Sequence, residues 1–548
     1  MQYDSLEAPV IHKAWSHHLP TTKALILDVG AGSGRDARWL ADMGHEVIAV
    51  EPSRGMLEIA KKNTPSPSIQ WIFDSLPALQ ETYELGLKYD LILLSAVWMH
   101  IAPKERQRAF RKLVNLLRPN GKLVISLRHG PSYDNRKFYP VSAHELKSLA
   151  NGHVLELLQE NSSQDQMKRE GVFWETLVFR LPDDGTGALP LLRHVIINDA
   201  KSSTYKLALL RVLIRIADGS QGAVLEKNEQ FVTLPFGLVA LYWIKAFKPL
   251  ILDANFLQQP SANIGLGFVK DGFRKLKNLS AYDLKMGFRF SGEDANNLFL
   301  ALRDARNTIK NMPAHYITHP NSDSQVFLCE TRRVRKLNSF RLDTDFLGSF
   351  GSFKVPKRLW DAISQYACWI EPAIIREWCT LMKSYDVKVG QEKPLENYLQ
   401  HLEWFDPERN TREVRRIIEN LREKSQPVYC IWTGKRLKNA FDVDHCFPFA
   451  SWPNNDLWNL LPADPRVNNR KSGKLPTAEI LEKAEERLFD WWDRAYSGNY
   501  HDRFITEAKS ALPNGAYDWH KQNEAIYLGM QGQRLRLKIN QQLPEWGG

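Results

Sequence analysis

A strand, a glycine-rich loop and a helix follow one another near the N-terminus, and this order constrains the fold more than any other feature. The apolar run 25–29 leads into Gly-Ala-Gly-Ser-Gly at 30–34, and a helical pattern of apolar residues occupies 35–43. Further apolar runs alternate with helical patterns, and they lie at 46–51, 69–73, 89–94 and 122–127. Strands that alternate with helices predict a parallel sheet whose ligands bind at the carboxyl ends of the strands.

The loop and an acidic residue that follows it indicate a nucleotide-type cofactor. Glycines let the backbone approach a ligand closely and turn sharply into the helix. The spacing is Gly-x-Gly-x-Gly at 30–34, not the Gly-x-Gly-x-x-Gly of dinucleotide-binding folds. Glu51 ends the second strand, where a carboxylate is able to bind both hydroxyls of a ribose.

Residues 21–181 resemble the class I S-adenosylmethionine-dependent methyltransferases. The resemblance implies a Rossmann-like sheet of seven strands, with 153–158 and 175–180 as the last two strands and the final one antiparallel. It also implies S-adenosylmethionine as cofactor, with these contacts: the cofactor loop from Asp28, Gly30, Gly32 and Gly34, the ribose on Glu51, the adenine amino group on Asp74, and Ser95 on the acceptor side. A nicotinamide-binding domain, or a Rossmann fold that serves only as a scaffold, remains the alternative.

The residues after the fourth strand leave the methyl acceptor open. DNA amino-methyltransferases carry Asn/Asp-Pro-Pro-aromatic at this point and cytosine-C5 enzymes carry Pro-Cys, whereas this chain has Ser-Ala-Val-Trp at 95–98. The sequence therefore argues against both of these DNA-base chemistries. A small molecule, a protein, RNA or a sugar–phosphate group remains open as acceptor, and His100 is either a general base or a structural histidine.

A second constellation of polar residues lies near the C-terminal end. Asp444 and His445 end a short apolar strand, Asn459 follows fourteen positions later, and Asn468 follows nine positions after that. A strand–loop–strand–helix unit of this length would bring the four residues together. A neutral imidazole is a suitable general base at physiological pH, while carboxylate and amide oxygens suit Mg²⁺. The pattern predicts His445 as general base, Asp444 and Asn468 as ligands of Mg²⁺ or another divalent cation, Asn459 as the tie that orients His445 through its backbone, and Lys471 as a phosphate contact.

Segment 430–476 resembles the HNH, or ββα-metal, nucleases, and especially the HNH domain of the RNA-guided CRISPR effectors. The resemblance rests on Asp-Val-Asp-His at 442–445, a middle Asn and a late Asn before Lys-Ser, and it covers under a tenth of the chain. Many HNH proteins hold a structural zinc between two Cys-x-x-Cys pairs. This segment has only Cys430 and Cys446, so no zinc ribbon is expected.

Composition favours a polyanionic partner and a cytoplasmic location. The net charge of +10 and the pI near 9.1, beside a nuclease motif, indicate nucleic acid, with double-stranded DNA as the predicted partner. Five unpatterned cysteines suggest reduced thiols. No signal peptide is recognised at the N-terminus. The longest apolar run, 236–247, is too short to cross a bilayer and contains Lys245. The oligomeric state is not defined by the sequence.

A chain of 548 residues is too long for one core. We therefore predict a multidomain α/β plus α architecture, with these parts: 1–182, a class I methyltransferase-like domain; 183–410, a mostly helical middle domain; 411–500, a ββα-metal HNH domain; and 501–548, a helical extension. Within the middle domain, 231–247 is expected to be one buried helix, and the basic cluster 332–336 to contact phosphates from an edge strand or hairpin.

The two motif-bearing ends together predict a metal-dependent endonuclease that hydrolyses DNA phosphodiester bonds, fused to an S-adenosylmethionine-binding methyltransferase domain. The pairing suggests restriction–modification or anti-phage defence. Three alternatives stay open: RNA as the substrate, a non-catalytic domain that senses S-adenosylmethionine and regulates the nuclease, and a methyltransferase whose HNH unit is inactive.

Overall fold

Two units of the chain, Met1–Asp199 and Ala200–Gly548, hold their contacts largely within themselves and are called unit 1 and unit 2. The computed structural model describes residues 6–131, 137–199, 201–260, 265–280, 283–319, 323–404, 407–438, 440–513 and 518–548. The division falls after Asp199, whereas the first predicted boundary lies at 182. Apart from residues 183–199, the three later predicted domains lie within unit 2.

One sheet organises unit 1. Among the residues described there, its seven strands are β1 Leu25–Val29, β2 Glu46–Val50, β3 Ile69–Ile72, β4 Tyr89–Leu94, β5 Leu117–His129, β6 Glu156–Gln164 and β7 Phe173–Arg180. Their order is β3-β2-β1-β4-β5-β7-β6. Strands β1 to β5 are parallel, and β7 runs antiparallel to both of its neighbours. This arrangement confirms the predicted seven-stranded Rossmann-like sheet.

Helices cover both faces of that sheet. The helices of unit 1 are α1 Ala8–Ile11, α2 Arg35–Asp42, α3 Arg54–Asn63, α4 Gln80–Glu84, α5 Pro103–Leu116, α6 Ala143–Gly152 and α7 Ala188–Arg193. Leu27 of β1 packs into a core with Phe110 of α5, whereas its neighbour Ile26 packs on the other face with Leu40 of α2. Because a central parallel strand is buried on both faces, it reads as a continuous apolar run.

The segment predicted to be mostly helical contains a sheet as well as helices. Its strands are β8 Glu226–Lys227, β9 Phe231–Pro235, β10 Arg289–Ser291, β11 Leu328–Thr331, β12 Ser339–Arg341 and β13 Gly351–Pro356. Four of them form an antiparallel sheet in the order β11-β13-β9-β8, and β10 pairs with β12. The exposed basic cluster 332–336 directly follows the edge strand β11.

The prediction of one buried helix over 231–247 is wrong. Residues Phe231–Pro235 form β9, and the helix that follows is α9, Phe236–Lys248. The reason lies at Pro235, whose ring disfavours helical conformation at the preceding residue and which has no N–H to donate. The β-branched residues before it fit a strand. From Phe236 onward the helix is apolar on nearly every side and is buried accordingly.

The remaining helices of unit 2 are distributed along its whole length. They are α8 Tyr205–Gly219, α10 Asp271–Arg274, α11 Gly292–Asn311, α12 Pro313–Tyr316, α13 Thr344–Gly348, α14 Lys357–Gln365, α15 Ala367–Lys388, α16 Leu395–Leu402, α17 Arg412–Glu423, α18 Pro465–Lys471, α19 Ala478–Ala495, α20 His501–Ala511 and α21 Gln522–Gln541. Across both units, short 3₁₀ or π segments lie at Ser16–His18, Trp98–His100, His194–Asn198, Gln221–Ala223, Pro249–Asp253, Lys275–Asn278, Leu457–Asn459 and Gly498–Tyr500.

Near the C-terminal end the chain has the strand–loop–strand–helix order that the sequence predicts. Strand β14, Asp442–His445, pairs antiparallel with β15, Leu460–Ala463, and α18 follows at once; residues 442–471 are called the ββα segment. Strand β16, Leu475–Pro476, pairs parallel with β17, Glu545–Trp546. One core contains residues from Val414 to Trp546, so the predicted segments 411–500 and 501–548 pack together.

No helix in the described part of the chain is both long enough and apolar enough to span a membrane.

Candidate functional sites

A cavity of about 560 Å³ opens at the carboxyl ends of the unit 1 strands. Its described lining includes Gly30, Gly32, Glu51, Ser53 and Ser95, together with Met99, His100, Arg128, Phe138 and Trp174. Four predicted cofactor residues are therefore brought together: Gly30, Gly32, Glu51 and Ser95. The described lining does not include the other three, Asp28, Gly34 and Asp74.

The glycine loop closes over the end of β2. The backbone N–H groups of Gly30 and Ala31 donate to the Val50 carbonyl at 2.8 and 2.9 Å. Gly30 has φ +76°, and a Cβ built on it would lie 2.5 Å from Val97 Cγ2. Gly34 has φ +88°, and a Cβ there would lie 2.7 Å from the Trp71 ring. The loop therefore depends on glycine for both its backbone conformation and its packing.

Glu51 is held at the mouth of the loop by backbone donors. Its Oε2 accepts from the Gly32 N–H at 2.8 Å, and its Oε1 accepts from the Ser53 N–H at 2.9 Å. The side chain is thus fixed at the end of β2 and faces the cavity. A carboxylate in this position is suited to accept hydrogen bonds from sugar hydroxyls.

Asp28 lies beneath the loop. It is buried at 1% exposure, and its Oδ2 has no hydrogen-bond partner among the described residues. Burial, and then the negative charge of Asp36, raise the pKa of Asp28 well above its usual range.

Asp74 is directed toward its own chain. Its Oδ2 accepts from the backbone N–H and the hydroxyl of Thr82 at 2.9 and 2.8 Å, and its Oδ1 accepts from the Ser75 N–H at 2.7 Å. These bonds fix the start of α4. In this arrangement the structure gives Asp74 a capping contact and does not bring it to the cavity.

The cavity lining also contains three residues that the sequence analysis missed: Arg128, Phe138 and Trp174. The Arg128 guanidinium lies 4.9 Å from the Phe138 ring centroid, and Trp174 reaches the cavity from the antiparallel strand β7. His100 Nδ1 lies 3.0 Å from the Lys137 carbonyl oxygen; because that oxygen only accepts, Nδ1 donates and Nε2 is the acceptor of a neutral ring. Arg128 lies near the carboxyl end of β5, and this position was the one signal in the sequence that could have indicated a cavity residue. Trp174 reaches the cavity because β7 pairs with β5, and no local sequence motif indicates that pairing.

In the ββα segment, a buried lysine joins the strand to the helix. Lys471 Nζ donates to Asp444 Oδ1 at 3.2 Å and to the His445 carbonyl at 2.7 Å, and Trp432 Nε1 donates to Asp444 Oδ2 at 2.8 Å. The side chain of Lys471 is 0% exposed and that of Asp444 is 5% exposed. Burial raises the pKa of Asp444, and the ammonium of Lys471 opposes that shift.

The two predicted metal ligands have different partners. Asn468 Nδ2 donates to Asp442 Oδ2 at 3.0 Å, while both oxygens of Asp444 accept from Lys471 and Trp432. Asp442 and Asn468 are half-buried and reach solvent, whereas Asp444 is enclosed. The predicted role of Asp444 as a metal ligand therefore does not fit this arrangement, because its carboxylate is already neutralised by a buried cation.

A divalent cation fits Asp442 and Asn468 better. One carboxylate and one amide oxygen at the surface suit Mg²⁺, which keeps most of its waters and binds few protein groups. Within the described ranges, no three His, Cys, Asp or Glu side chains form a metal cluster. A cation at this point would therefore depend on water and substrate oxygens for the rest of its coordination.

His445 leaves the strand on the side opposite Asp444, as alternate strand residues do. Its Nε2 lies 3.0 Å from Asn455 Oδ1, and its Nδ1 has no hydrogen-bond partner among the described residues. Burial lowers the pKa of His445 to about 4, so the imidazole is neutral near pH 7. Asn459 ties the adjoining loop: its Oδ1 accepts from the Phe447 N–H at 2.9 Å.

Comparisons with known proteins place a methyltransferase domain in unit 1. A family model described as "Methyltransferase domain" matches residues 26–121. Together with the strand order and the glycine loop, this match identifies unit 1 as a class I S-adenosylmethionine-dependent methyltransferase domain. A second model, "Domain of unknown function (DUF8808)", matches residues 185–402. Neither model reaches the ββα segment, so the nuclease prediction rests on its motif and geometry.

Individual relatives are also methyltransferases by description. An uncharacterized methyltransferase from Staphylococcus carnosus is 28% identical over 164 residues, which are 26% of this chain and 75% of the relative. Another, from Oceanobacillus iheyensis, is 31% identical over 101 residues, 18% of this chain and 45% of the relative. The solved 1,6-didemethyltoxoflavin-N1-methyltransferase of Burkholderia thailandensis is 20% identical with a TM-score of 0.28, over 33% of this chain and 81% of that one.

Replacing Gly30 by alanine should destabilise unit 1 by about 1–3 kcal/mol and weaken S-adenosylmethionine binding, because the new Cβ meets Val97 and the positive φ is strained. Thermal unfolding and calorimetric titration measure the two effects. Gly55→Ala is the matched control, since a Cβ at Gly55 on α3 has no atom within 4 Å. Equal behaviour of the two variants would contradict the packing argument.

Lys471→Met should destabilise unit 2 by about 3–5 kcal/mol near pH 7, because it leaves the Asp444 carboxylate buried without a cation. The loss of unfolding free energy should be smaller near pH 4, because burial raises the pKa of Asp444 and the carboxyl group is more often protonated there. As the pH rises, Asp444 ionises without a cation beside it and the destabilisation grows. Urea unfolding at several pH values measures this. Lys474→Met, exposed and three residues away, should change the unfolding free energy by less than about 0.5 kcal/mol.

Proposed function

We propose that unit 1 binds S-adenosylmethionine between the glycine loop and Glu51. It transfers the methyl group of this cofactor to an acceptor bound beside the cavity-lining residues His100 and Trp174. The observation that carries this proposal is the Glu51 carboxylate, fixed by the Gly32 and Ser53 N–H groups at the mouth of the cavity. The acceptor stays open between a small molecule, a protein, RNA and a sugar–phosphate group. A domain that only senses the cofactor would bind it in the same way but would not convert it to S-adenosylhomocysteine, so turnover separates the two.

Glu51→Ala should weaken S-adenosylmethionine binding about 10- to 100-fold, since hydrogen bonds to a charged group contribute roughly 1.5–3 kcal/mol. Calorimetric titration measures the dissociation constant. Glu58→Ala serves as control because Glu58 is exposed on α3. An unchanged dissociation constant in Glu51→Ala would remove the carboxylate from the cofactor site.

We further propose that the ββα segment hydrolyses phosphodiester bonds of nucleic acid, as an HNH-type nuclease in which Asn468 replaces the last histidine of the motif. The observation that favours this second activity is a neutral, buried histidine at the end of β14, held between a hairpin and a helix by Lys471 and Asn459. His445 would accept the proton of the attacking water. Asp442 and Asn468 would hold a divalent cation, which stabilises negative charge on the phosphate.

The substrate is proposed to be double-stranded DNA, with RNA as the rival. The net charge of +10 and the exposed basic cluster 332–336 favour a polyanion, and binding through phosphates weakens with salt. Cleavage of matched DNA and RNA separates the two substrates. The pairing of a methyltransferase with a nuclease is consistent with restriction–modification or anti-phage defence.

His445→Ala should abolish Mg²⁺-dependent plasmid cleavage while leaving nucleic-acid binding intact. In the wild type, the cleavage rate should not fall through protonation of His445 until the pH drops below about 5. The reason is that burial lowers the pKa of His445 to about 4, which keeps the imidazole neutral above that pH. Gel assays across pH, with and without S-adenosylmethionine, measure both. His501→Ala, at the exposed start of α20, is the control. Retained cleavage in His445→Ala would remove this residue as the base.

A further inference from the structure

A second cavity, of about 160 Å³, lies within unit 2. Its described lining includes Arg215 from α8, Tyr242 and Lys245 from α9, and Asn455 from the loop between β14 and β15. The cavity is therefore shared by the segment that matches the domain of unknown function, 185–402, and by the ββα segment. A cavity of about 150 Å³ is large enough to hold one benzene ring, so this volume suits a single six-membered ring.

Two aromatic side chains of the lining form a continuous surface. The ring centroids of Trp404 and Tyr242 lie 5.8 Å apart, and their planes are inclined by 21°; stacked aromatic pairs have centroids about 4.5–7 Å apart. The Arg215 guanidinium carbon and Lys245 Nζ lie 5.2 and 5.7 Å from the Trp404 centroid, and these cations stabilise the position of the indole ring. Trp404 is half-buried. A fixed indole that lines a cavity is suited to stack against the flat face of a ligand.

Cations of the lining have carboxylate partners within the protein. Lys285 Nζ lies 2.8 Å from Asp456 Oδ1 and 3.2 Å from Glu507 Oε1. Arg215 Nε lies 2.8 Å from Glu371 Oε1. Because these positive charges are compensated, the cavity is poorly suited to a bare phosphate. It suits a neutral ring that carries hydrogen-bonding groups.

Polar groups of the lining are suited to the edge of a nucleobase. The Tyr242 hydroxyl and Ser220 Oγ lie 2.9 Å apart, and Asn454 and Asn455 add two amide groups to the lining. An amide carries two N–H donors and one carbonyl oxygen. A nucleobase combines a flat face for stacking with an edge of donors and acceptors, and it is neutral near pH 7.

We propose that this cavity binds one unpaired nucleobase of single-ring size, whose face stacks on Trp404. Asn455 connects the cavity to the ββα segment: its Nδ2 donates to the Glu408 carbonyl oxygen at 2.8 Å, and its Oδ1 lies 3.0 Å from His445 Nε2. A strand whose base is held here passes beside the candidate nuclease residues, and this meaning of the cavity rests on the proposed nuclease function. A free mononucleotide carries the same ring, so the test has to separate the two sources.

Binding is measured on the full-length protein without divalent cations, so that no strand is cut. The probes are a fluorescent short oligothymidylate, followed by anisotropy, and dTMP, followed by calorimetric titration. Trp404→Leu should weaken binding of the oligothymidylate about 5- to 150-fold, the equivalent of the roughly 1–3 kcal/mol that stacking contributes per base. Trp404→Phe keeps an aromatic face and should stay within about threefold of wild type.

Trp369→Leu is the matched control. Trp369 is 62% exposed on α15 and stacks on Tyr366 with centroids 5.7 Å apart, but it is not part of the described cavity lining. Its replacement should leave binding unchanged. Added salt should weaken wild type and Trp404→Leu in parallel, because stacking on a neutral base releases no counterions. Thermal unfolding of each variant reports whether the fold is retained.

A photochemical probe gives a result that does not depend on any substitution. An oligothymidylate with one thymine replaced by 5-iodouracil is irradiated on the wild-type protein, and the crosslinked peptides are identified by mass spectrometry. We expect crosslinks at Trp404 or Tyr242, the aromatic residues against which the base would lie. Crosslinks confined to the basic cluster 332–336 would overturn the proposed base site.

The outcomes separate this inference from the nuclease activity. Undiminished binding in Trp404→Leu, or equal losses in Trp404→Leu and Trp369→Leu, would overturn the base site even if nucleic acid is cleaved. Binding that depends on Trp404, in a protein that cuts neither DNA nor RNA, would support the base site and overturn the proposed nuclease. Binding of dTMP that depends on Trp404, without binding of the oligothymidylate, would support the base site with a free mononucleotide as its ligand.

Discussion

The ammonium group of Lys471 is the interaction on which the ββα segment depends. A buried cation is tolerated only when its protons are accepted, and here a carboxylate and a backbone carbonyl accept from it at the junction of strand and helix. The same contact removes Asp444 from the surface and leaves Asp442 and Asn468 as the accessible oxygen donors. One buried pair therefore determines both the packing of α18 on β14 and which residues can meet a ligand.

A comparable division between support and contact exists in unit 1. Asp28 is enclosed below the glycine loop, while Glu51 is held by backbone donors at the cavity. Both are buried acidic residues near strand ends, and their surroundings distinguish them: Glu51 accepts from two backbone N–H groups and lines the cavity, whereas Asp28 is not part of the described lining. A carboxyl group at position 28 therefore belongs to the buried interior near the loop, whereas a carboxyl group at position 51 belongs to the lining of the cavity.

Much of the architecture could be predicted from sequence because it depends on local patterns. The strand alternation, the Gly-x-Gly-x-Gly loop and the resemblance to class I methyltransferases together predicted the sheet and four residues of its cavity. The strand β9 was missed because apolar character outweighed the signal of Pro235. Asp74 and Asp444 were assigned to ligands from their position in a motif, yet each has protein donors that no spacing rule reveals. Asn455 and Trp174 act through long-range contacts, and these depend on how loops fold rather than on neighbouring residues.

The pairing of β16 with β17 has a consequence for the order in which the chain matures. Strand β16, at 475–476, can pair with β17 only after residues 545–546 have been synthesised. The core that contains the ββα segment also extends to Trp546. At a synthesis rate of roughly 5–20 residues per second, unit 1 is finished well before this partner strand emerges from the ribosome. Synthesis of the methyltransferase domain is therefore complete before the core that contains the ββα segment can form.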